Sequence, residues 1–326
     1  MAPKSRVPTT VALPAGGELA LAGSPVADAR LRRLGVREQA GFALLCLGAG
    51  VAPLAARWIA GDVARIAYGA LITAAYLACA LFARHAAALR RLWKLAFAFF
   101  IFALVQVLNR AIPGFVAGRL LHAPPRAGNP LAATVSGTLV VQVLETAIAI
   151  VPVVAFTLLS GQQPGAIYAR AGKFGGWLIF ASGFLIVFYG YLATLVLRPE
   201  SPAHRLLPTH GPLTLQRFLA LTPPLLVVAI ANGFEEEVLF RGLFLQPYQA
   251  VFGVGVANVL QAAIFALAHA GIAYTPAVLL FIVALVFPLG LVTGYLMRVT
   301  NGVLAPAIFH AALDLAIYLP FLTAVA

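Results

Sequence analysis

Residues 225–245 read LLVVAIANGFEEEVLFRGLFL, an apolar run of helical length interrupted by Glu235, Glu236, Glu237 and Arg241. Two later runs have the same character: VANVLQAAIFALAHAG (256–271), which carries His269, and VLAPAIFHAALDLAIYLPFL (303–322), which carries His310 and Asp314. The chain has only ten acidic residues, and Glu235, Glu236, Glu237 and Asp314 all fall between Asn232 and Asp314. A charge near a bilayer centre costs a few kcal/mol on insertion scales, so such residues face a bundle interior and mark functional sites. Carboxylates and imidazoles delivered by three separate segments are parts for acid–base or metal chemistry.

Composition sets the class. Of 326 residues, 62% are hydrophobic and 10% charged, against about 25% charged in a soluble domain; mean hydropathy is +0.97. The expected fold is all-α, a polytopic transmembrane helix bundle, and its first partner is the lipid bilayer. The net charge of +12 is spread between apolar segments, as for headgroup and loop positions, and no nucleic-acid module is visible; a nucleic-acid partner is not expected. Cys46 and Cys79 lie inside separate apolar segments and read as small buried hydrophobes.

Spans need about 20 predominantly apolar residues. On that rule the candidates lie near 40–57, 66–83, 93–109, 131–159, 174–197, 218–245, 252–269, 277–297 and 303–323, making eight or nine helices. The third is expected to end near Asn109, with Arg110, Pro113 and Gly114 opening a polar connection through Pro130. Three regions follow: a flexible cytosolic tail over 1–38, N-terminal transmembrane helices over 39–217, and a core over 218–326. The tail has no clean apolar stretch with a cleavage site, so it does not read as a signal peptide. Arg30, Arg32, Arg33 and Arg37 in the tail, with Arg84, Arg90, Arg91 and Lys94 after the second span, assign both segments to the cytoplasmic side.

Glu237 and Arg241 stand four apart, so on a helix they share a face and can pair. Glu236 then points elsewhere, available as a base. The bland alternative is a solvated helix end with Arg241 snorkelling to the interface. His269 closes the run FALAH and by itself reads as a helix-end residue. His310 and Asp314 again stand four apart; the carboxylate can fix the imidazole tautomer, or the pair can simply bind the last helix to the bundle. Glu145 sits mid-segment near Gln142, and a helix-packing role is the favoured reading. GxSxG, Walker A, GxGxxG and His-Glu-x-x-His patterns are absent.

In order, EEVLFRG (236–242), FALAH (265–269) and HAALD (310–314) resemble the EExxxR, FxxxH and HxxxN or HxxxD pattern of the CPBP intramembrane proteases, also called Abi or type II CaaX prenyl endopeptidases. The resemblance covers roughly 218–323. It implies hydrolysis of a peptide bond in a membrane-delivered peptide or protein, prenylated or not, in a multi-pass protein of the bacterial plasma membrane. It assigns Glu236 as the base activating water with His269, Glu237 and Arg241 as its support, and His310 with the residue one turn later as oxyanion stabilisers. The sequence departs from many members in having Asp314 where asparagine is common. An ionised aspartate cannot donate a hydrogen bond, so Asp314 is expected to orient His310.

Metal involvement stays open at this level. The expected mechanism has no cofactor, but Glu236, His269 and His310 could hold Zn²⁺. Two other classes also remain: a non-catalytic membrane protein in bacteriocin immunity or scaffolding, and a proton-coupled transporter using the same ionisable residues.

Overall fold

The computed structural model describes residues 35–120, 130–198, 200, 209–269 and 276–326. The expected tail therefore lies outside the described residues up to residue 34, and Val36 already begins the first helix. Among the described residues there are helices and no strands. This follows from composition: in hydrocarbon every backbone N–H and C=O must be satisfied within its own segment, which a helix does.

Eight helices are long and apolar enough to cross a membrane: α1 (Val36–Trp58), α2 (Asp62–His85), α3 (Arg90–Phe115), α4 (Val135–Leu159), α5 (Gly176–Leu197), α6 (Leu215–Phe252), α8 (Val278–Thr300) and α9 (Leu304–Val325). A shorter apolar helix, α7 (Val254–Ala268), lies between α6 and α8. At 15 residues and 1.5 Å per residue it is about 22 Å long, less than the ~30 Å hydrocarbon core. The seventh expected span is thus a short helix. Apolar side chains such as Ile179, Ile186 and Val187 of α5 are exposed, as expected of a bundle whose solvent is lipid. The chain is an integral, multi-pass membrane protein.

The third span departs from its expected end. It continues past Asn109, Arg110 and Pro113 to Phe115. Arg110 does not end the helix; its side chain lines a polar cavity that is open on one side.

Helix α6 is organised around one irregularity. After Glu236 the α-helical ladder opens into a π-helical turn, Glu237–Gly242, closed by the Leu243 N–H donating to the Val238 carbonyl. The wider turn carries Glu237 and Arg241 inward; all six of its residues are buried. Such turns occur singly inside α-helices and frequently at functional sites. The helix then ends at Gly253, whose φ of +77° is a backbone conformation that glycine adopts without the steric cost of a Cβ.

Helix α9 packs along α6 and α5, α7 along α8, and α4 along α6. Rings from three helices form the floor: Phe102 of α3 lies 5.6 Å from both Phe240 and Phe244 of α6, and Phe240 lies 5.2 Å from Phe265 of α7. The α6–α9 contact depends on Gly233. A Cβ there would stand 2.8 Å from the Ala307 carbonyl oxygen and 2.9 Å from the Ala311 nitrogen, both backbone atoms that cannot rotate away. Small residues at such crossings let helices approach closely. Gly233→Ala is therefore expected to cost about 1–3 kcal/mol, the usual range for overpacking, measured by reversible unfolding in mixed micelles. An unchanged stability would mean that α6 and α9 do not approach this closely.

Candidate active site

The helix packing brings the ends of the three motifs together. Glu236, at the last α-helical position of α6 before the π turn, is the most accessible of the three glutamates that face the bundle. Its Oε1 lies 3.8 Å from His269 Nε2 and its Oε2 lies 3.5 Å from His310 Nε2. Both separations exceed a direct hydrogen bond of 2.7–3.2 Å. Oε2 is buried and has no hydrogen-bond partner.

His269 follows α7. Its Nδ1 lies 2.9 Å from the Phe265 carbonyl oxygen, one of the acceptors a helix C-terminus leaves open. A carbonyl can only accept, so Nδ1 carries a proton, and Nε2 is the nitrogen turned toward Glu236. The next open carbonyl, that of Ala268, accepts from Arg57 Nη1 of α1. The end of α7 is thus held by its own histidine and by a guanidinium from a distant helix.

His310 is held differently. Its Nδ1 lies 2.9 Å from Glu237 Oε1, and the same oxygen lies 3.0 Å from Arg241 Nη1. Glu237 and Arg241 are completely buried. Their contact is ionic, since the guanidinium nitrogens lack an aligned hydrogen bond and Glu237 Oε2 has none either. The second support of Arg241 is aromatic: its guanidinium carbon stands 4.0 Å over the Phe265 ring, within cation–π range. Phe265 also meets His269 edge-on at 4.8 Å and His310 at 5.6 Å and 90°. Phe265 thus touches three of the site's charged or titratable side chains.

Asp314 stands between His310 and Asn232. Its Oδ1 lies 3.7 Å from His310 Nε2, beyond hydrogen-bond range, whereas its Oδ2 accepts from Asn232 Nδ2 at 3.0 Å. Glu237, not Asp314, makes the short contact to His310. Asn232 sits one turn before Glu236 on α6, a spacing visible in the sequence.

Glu235 turns toward α4, where Gln142 Nε2 and Thr146 Oγ1 donate to its Oε2 at 3.0 and 3.1 Å. Gln142 Oε1 in turn accepts from the Tyr318 hydroxyl of α9 at 3.4 Å. Glu145 joins Glu235, Glu236 and Asn232 in lining a cavity of about 420 Å³. The packing role favoured for Glu145 from sequence leaves out this position on the cavity wall.

For a metal, zinc needs four donors near 2.0–2.3 Å. Among the described residues no group of three His, Cys, Asp or Glu side chains is arranged to hold a metal ion. Glu236, His269 and His310 as placed do not fit one.

The family model for type II CAAX prenyl endopeptidase Rce1-like proteins matches residues 218–316. The match takes in α6 from residue 218, α7, α8 and α9 to residue 316, and none of α1–α5. It supports the CPBP, or CaaX, protease family for this part of the chain, and that family implies a membrane-embedded protease. No curated protein and no solved structure matches the chain.

Proposed function

We propose that this protein is an intramembrane endopeptidase that hydrolyses a membrane-delivered peptide with a water activated by Glu236. The observation that carries this reading is Glu236 standing between two imidazoles, 3.8 and 3.5 Å away, on the wall of an open polar cavity in an apolar bundle. These gaps are too long for direct hydrogen bonds but allow a water to bridge. A water there gives one hydrogen to Glu236 Oε1 and the other to the His269 Nε2 lone pair, which leaves an oxygen lone pair for attack.

In the reaction the water oxygen bonds to the scissile carbonyl carbon as Glu236 takes the proton. The carbonyl oxygen becomes the oxyanion. His310 acts as imidazolium: its Nδ1–H is anchored on Glu237 and its Nε2–H is presented to that oxygen. Collapse breaks the C–N bond, and the proton held by Glu236 passes to the departing amine. Arg241 fixes Glu237, so it is a positioning residue. Asn232 holds Asp314, whose second oxygen faces the same His310 Nε2. No step requires a metal, and the family match does not favour the transporter or immunity readings.

The test is hydrolysis by purified protein in nanodiscs, using a panel of apolar peptides with and without a farnesyl thioether, in water enriched in ¹⁸O. The expected result is one ¹⁸O in the new carboxylate and a rate insensitive to chelator. Loss of cleavage to chelator with restoration by Zn²⁺ would replace the metal-free mechanism. Absence of any cleavage across the panel would count against the enzyme reading.

A further inference from the structure

The connection between α2 and α3 concentrates charge at one end of the bundle. Arg84 and His85 close α2, and Arg90, Arg91 and Lys94 open α3, all within eleven residues. Backbone bonds keep the connection tight: the N–H groups of Ala86, Leu89 and Leu92 donate to the carbonyls of Phe82, Ala86 and Leu89 at 2.9, 3.0 and 2.7 Å. Arg84, Arg90 and Arg91 are exposed, and Lys94 is half-buried.

Two of these cations meet on one ring. Arg84 Cζ of α2 stands 5.5 Å from the centre of the Trp93 indole, and Lys94 Nζ of α3 stands 6.0 Å from it, both within cation–π range. Like charges gathered on one ring repel, and no anion of the chain relieves them. Among the described residues Arg84, Arg90 and Lys94 have no carboxylate within ion-pair distance. Successive spans alternate in direction, so the start of α1 lies at this same end. Its Glu38, the one described carboxylate there, already accepts from the Gly35 N–H at 3.0 Å.

Apolar surface begins immediately beside this charge. Leu81, Phe82 and Leu89 are 44%, 67% and 37% exposed, and a tryptophan at the start of a span belongs at the level where headgroups meet hydrocarbon. A soluble anion would satisfy the cations and leave that surface uncovered. A phospholipid meets both needs, with its phosphate at the cations and its acyl chains along Leu81 and Phe82.

We infer that the α2–α3 connection is a binding site for the headgroup of an anionic phospholipid. Arg84 and Lys94 hold the phosphate, and Trp93 keeps the two cations together on either side of it. Arg90 and Arg91 add to the field that attracts the lipid. The site is separate from the proposed chemistry. Arg110, which lines the Glu236 cavity, stands sixteen residues beyond Lys94 on α3, about 24 Å along the helix. The lipid site therefore stands or falls independently of Glu236 as the base.

Native mass spectrometry of the full chain in detergent micelles reads lipid occupancy directly. The protein is titrated with dioleoyl phosphatidylglycerol and with the phosphatidylcholine of the same chains, and inorganic phosphate is added in excess as a competitor. Each cation near a charged surface contributes about fivefold in affinity. Wild type is thus expected to prefer phosphatidylglycerol about twentyfold, and Arg84→Gln with Lys94→Gln to bring the ratio to within about twofold. Exchanging the cations, Arg84→Lys with Lys94→Arg, keeps the charge and should keep the preference. Trp93→Leu keeps every charge but loses the ring that gathers them, and is expected to lower the preference about threefold.

The control removes two other exposed cations from the same end, Arg37→Gln with Lys173→Gln, and should leave the preference in place. Equal losses in the two glutamine pairs would make the preference a property of net charge and overturn the site. A preference undiminished in Arg84→Gln with Lys94→Gln would also overturn it. Displacement of phosphatidylglycerol by inorganic phosphate would assign the cations to a free anion and overturn the lipid. If the glutamine pair at Arg84 and Lys94 fails to fold, the exchanged pair and Trp93→Leu decide: both at the wild-type ratio would overturn the part given to the ring.

Discussion

Glu236→Gln is expected to lower peptide hydrolysis by about a thousandfold while leaving the protein folded. The size follows from the role: removing a positioned general base costs about 10²–10⁴-fold. The selectivity follows from the surroundings. Glu236 makes no hydrogen bond shorter than its 3.5 and 3.8 Å contacts to the imidazoles, and its Oε2 is already without a partner. An amide of the same shape therefore breaks no structural bond. Glu237→Ala differs, since it would strip the short contact from His310 and the charge from beside Arg241. The check is kcat on the mapped peptide together with thermal unfolding of both variants. A Glu236→Gln protein with near wild-type kcat would eliminate this carboxylate as the base and move attention to Glu235 or Glu145 on the same cavity. If activity and unfolding temperature fell together, the residue would be structural.

The features legible in the sequence are those carried by local chemistry. The spans follow from hydropathy because a bilayer tolerates only internally satisfied backbone, and the EExxxR, FxxxH and HxxxD elements stand in order on the chain. What was not legible depends on which helices meet. Glu235 precedes the motif in sequence, and only the fold shows α4 delivering Gln142 and Thr146 to it. Asp314 reads as the partner of His310 because they are four apart, yet Asn232 holds one oxygen and leaves the other 3.7 Å from the ring. Arg57 and Arg110 look like span-end charges, since hydropathy cannot distinguish a guanidinium at the lipid interface from one facing a polar cavity. The π turn at Glu237–Gly242 has no local signature either. It changes how Glu237 and Arg241 are presented from what an unbroken α-helix would give, and it lets both be buried beneath Glu236.

Arg241→Met is expected to be the most destabilising single change in this part of the molecule, by about 3–5 kcal/mol, the cost of leaving a buried charge without its partner. Arg241 and Glu237 are both fully buried, with 3.0 Å between the charged atoms. Methionine fills much of the volume and can still lie against Phe265, so the loss reports on the uncompensated carboxylate more than on a cavity. The double variant Arg241→Met with Glu237→Gln tests this directly. Glutamine carries no charge, and its side-chain oxygen can still accept from His310 Nδ1. Stability should then recover by at least half of the loss, and part of the hydrolysis should return with it, because the imidazole keeps its anchor. Unfolding free energies in mixed micelles, read alongside kcat, decide the matter. If the double variant is as unstable as Arg241→Met alone, the guanidinium acts through its packing on Phe265, and the ion pair is incidental. If stability recovers while hydrolysis stays absent, His310 depends on the negative charge of Glu237 and not only on its oxygen, which would make that charge part of how the imidazolium is maintained.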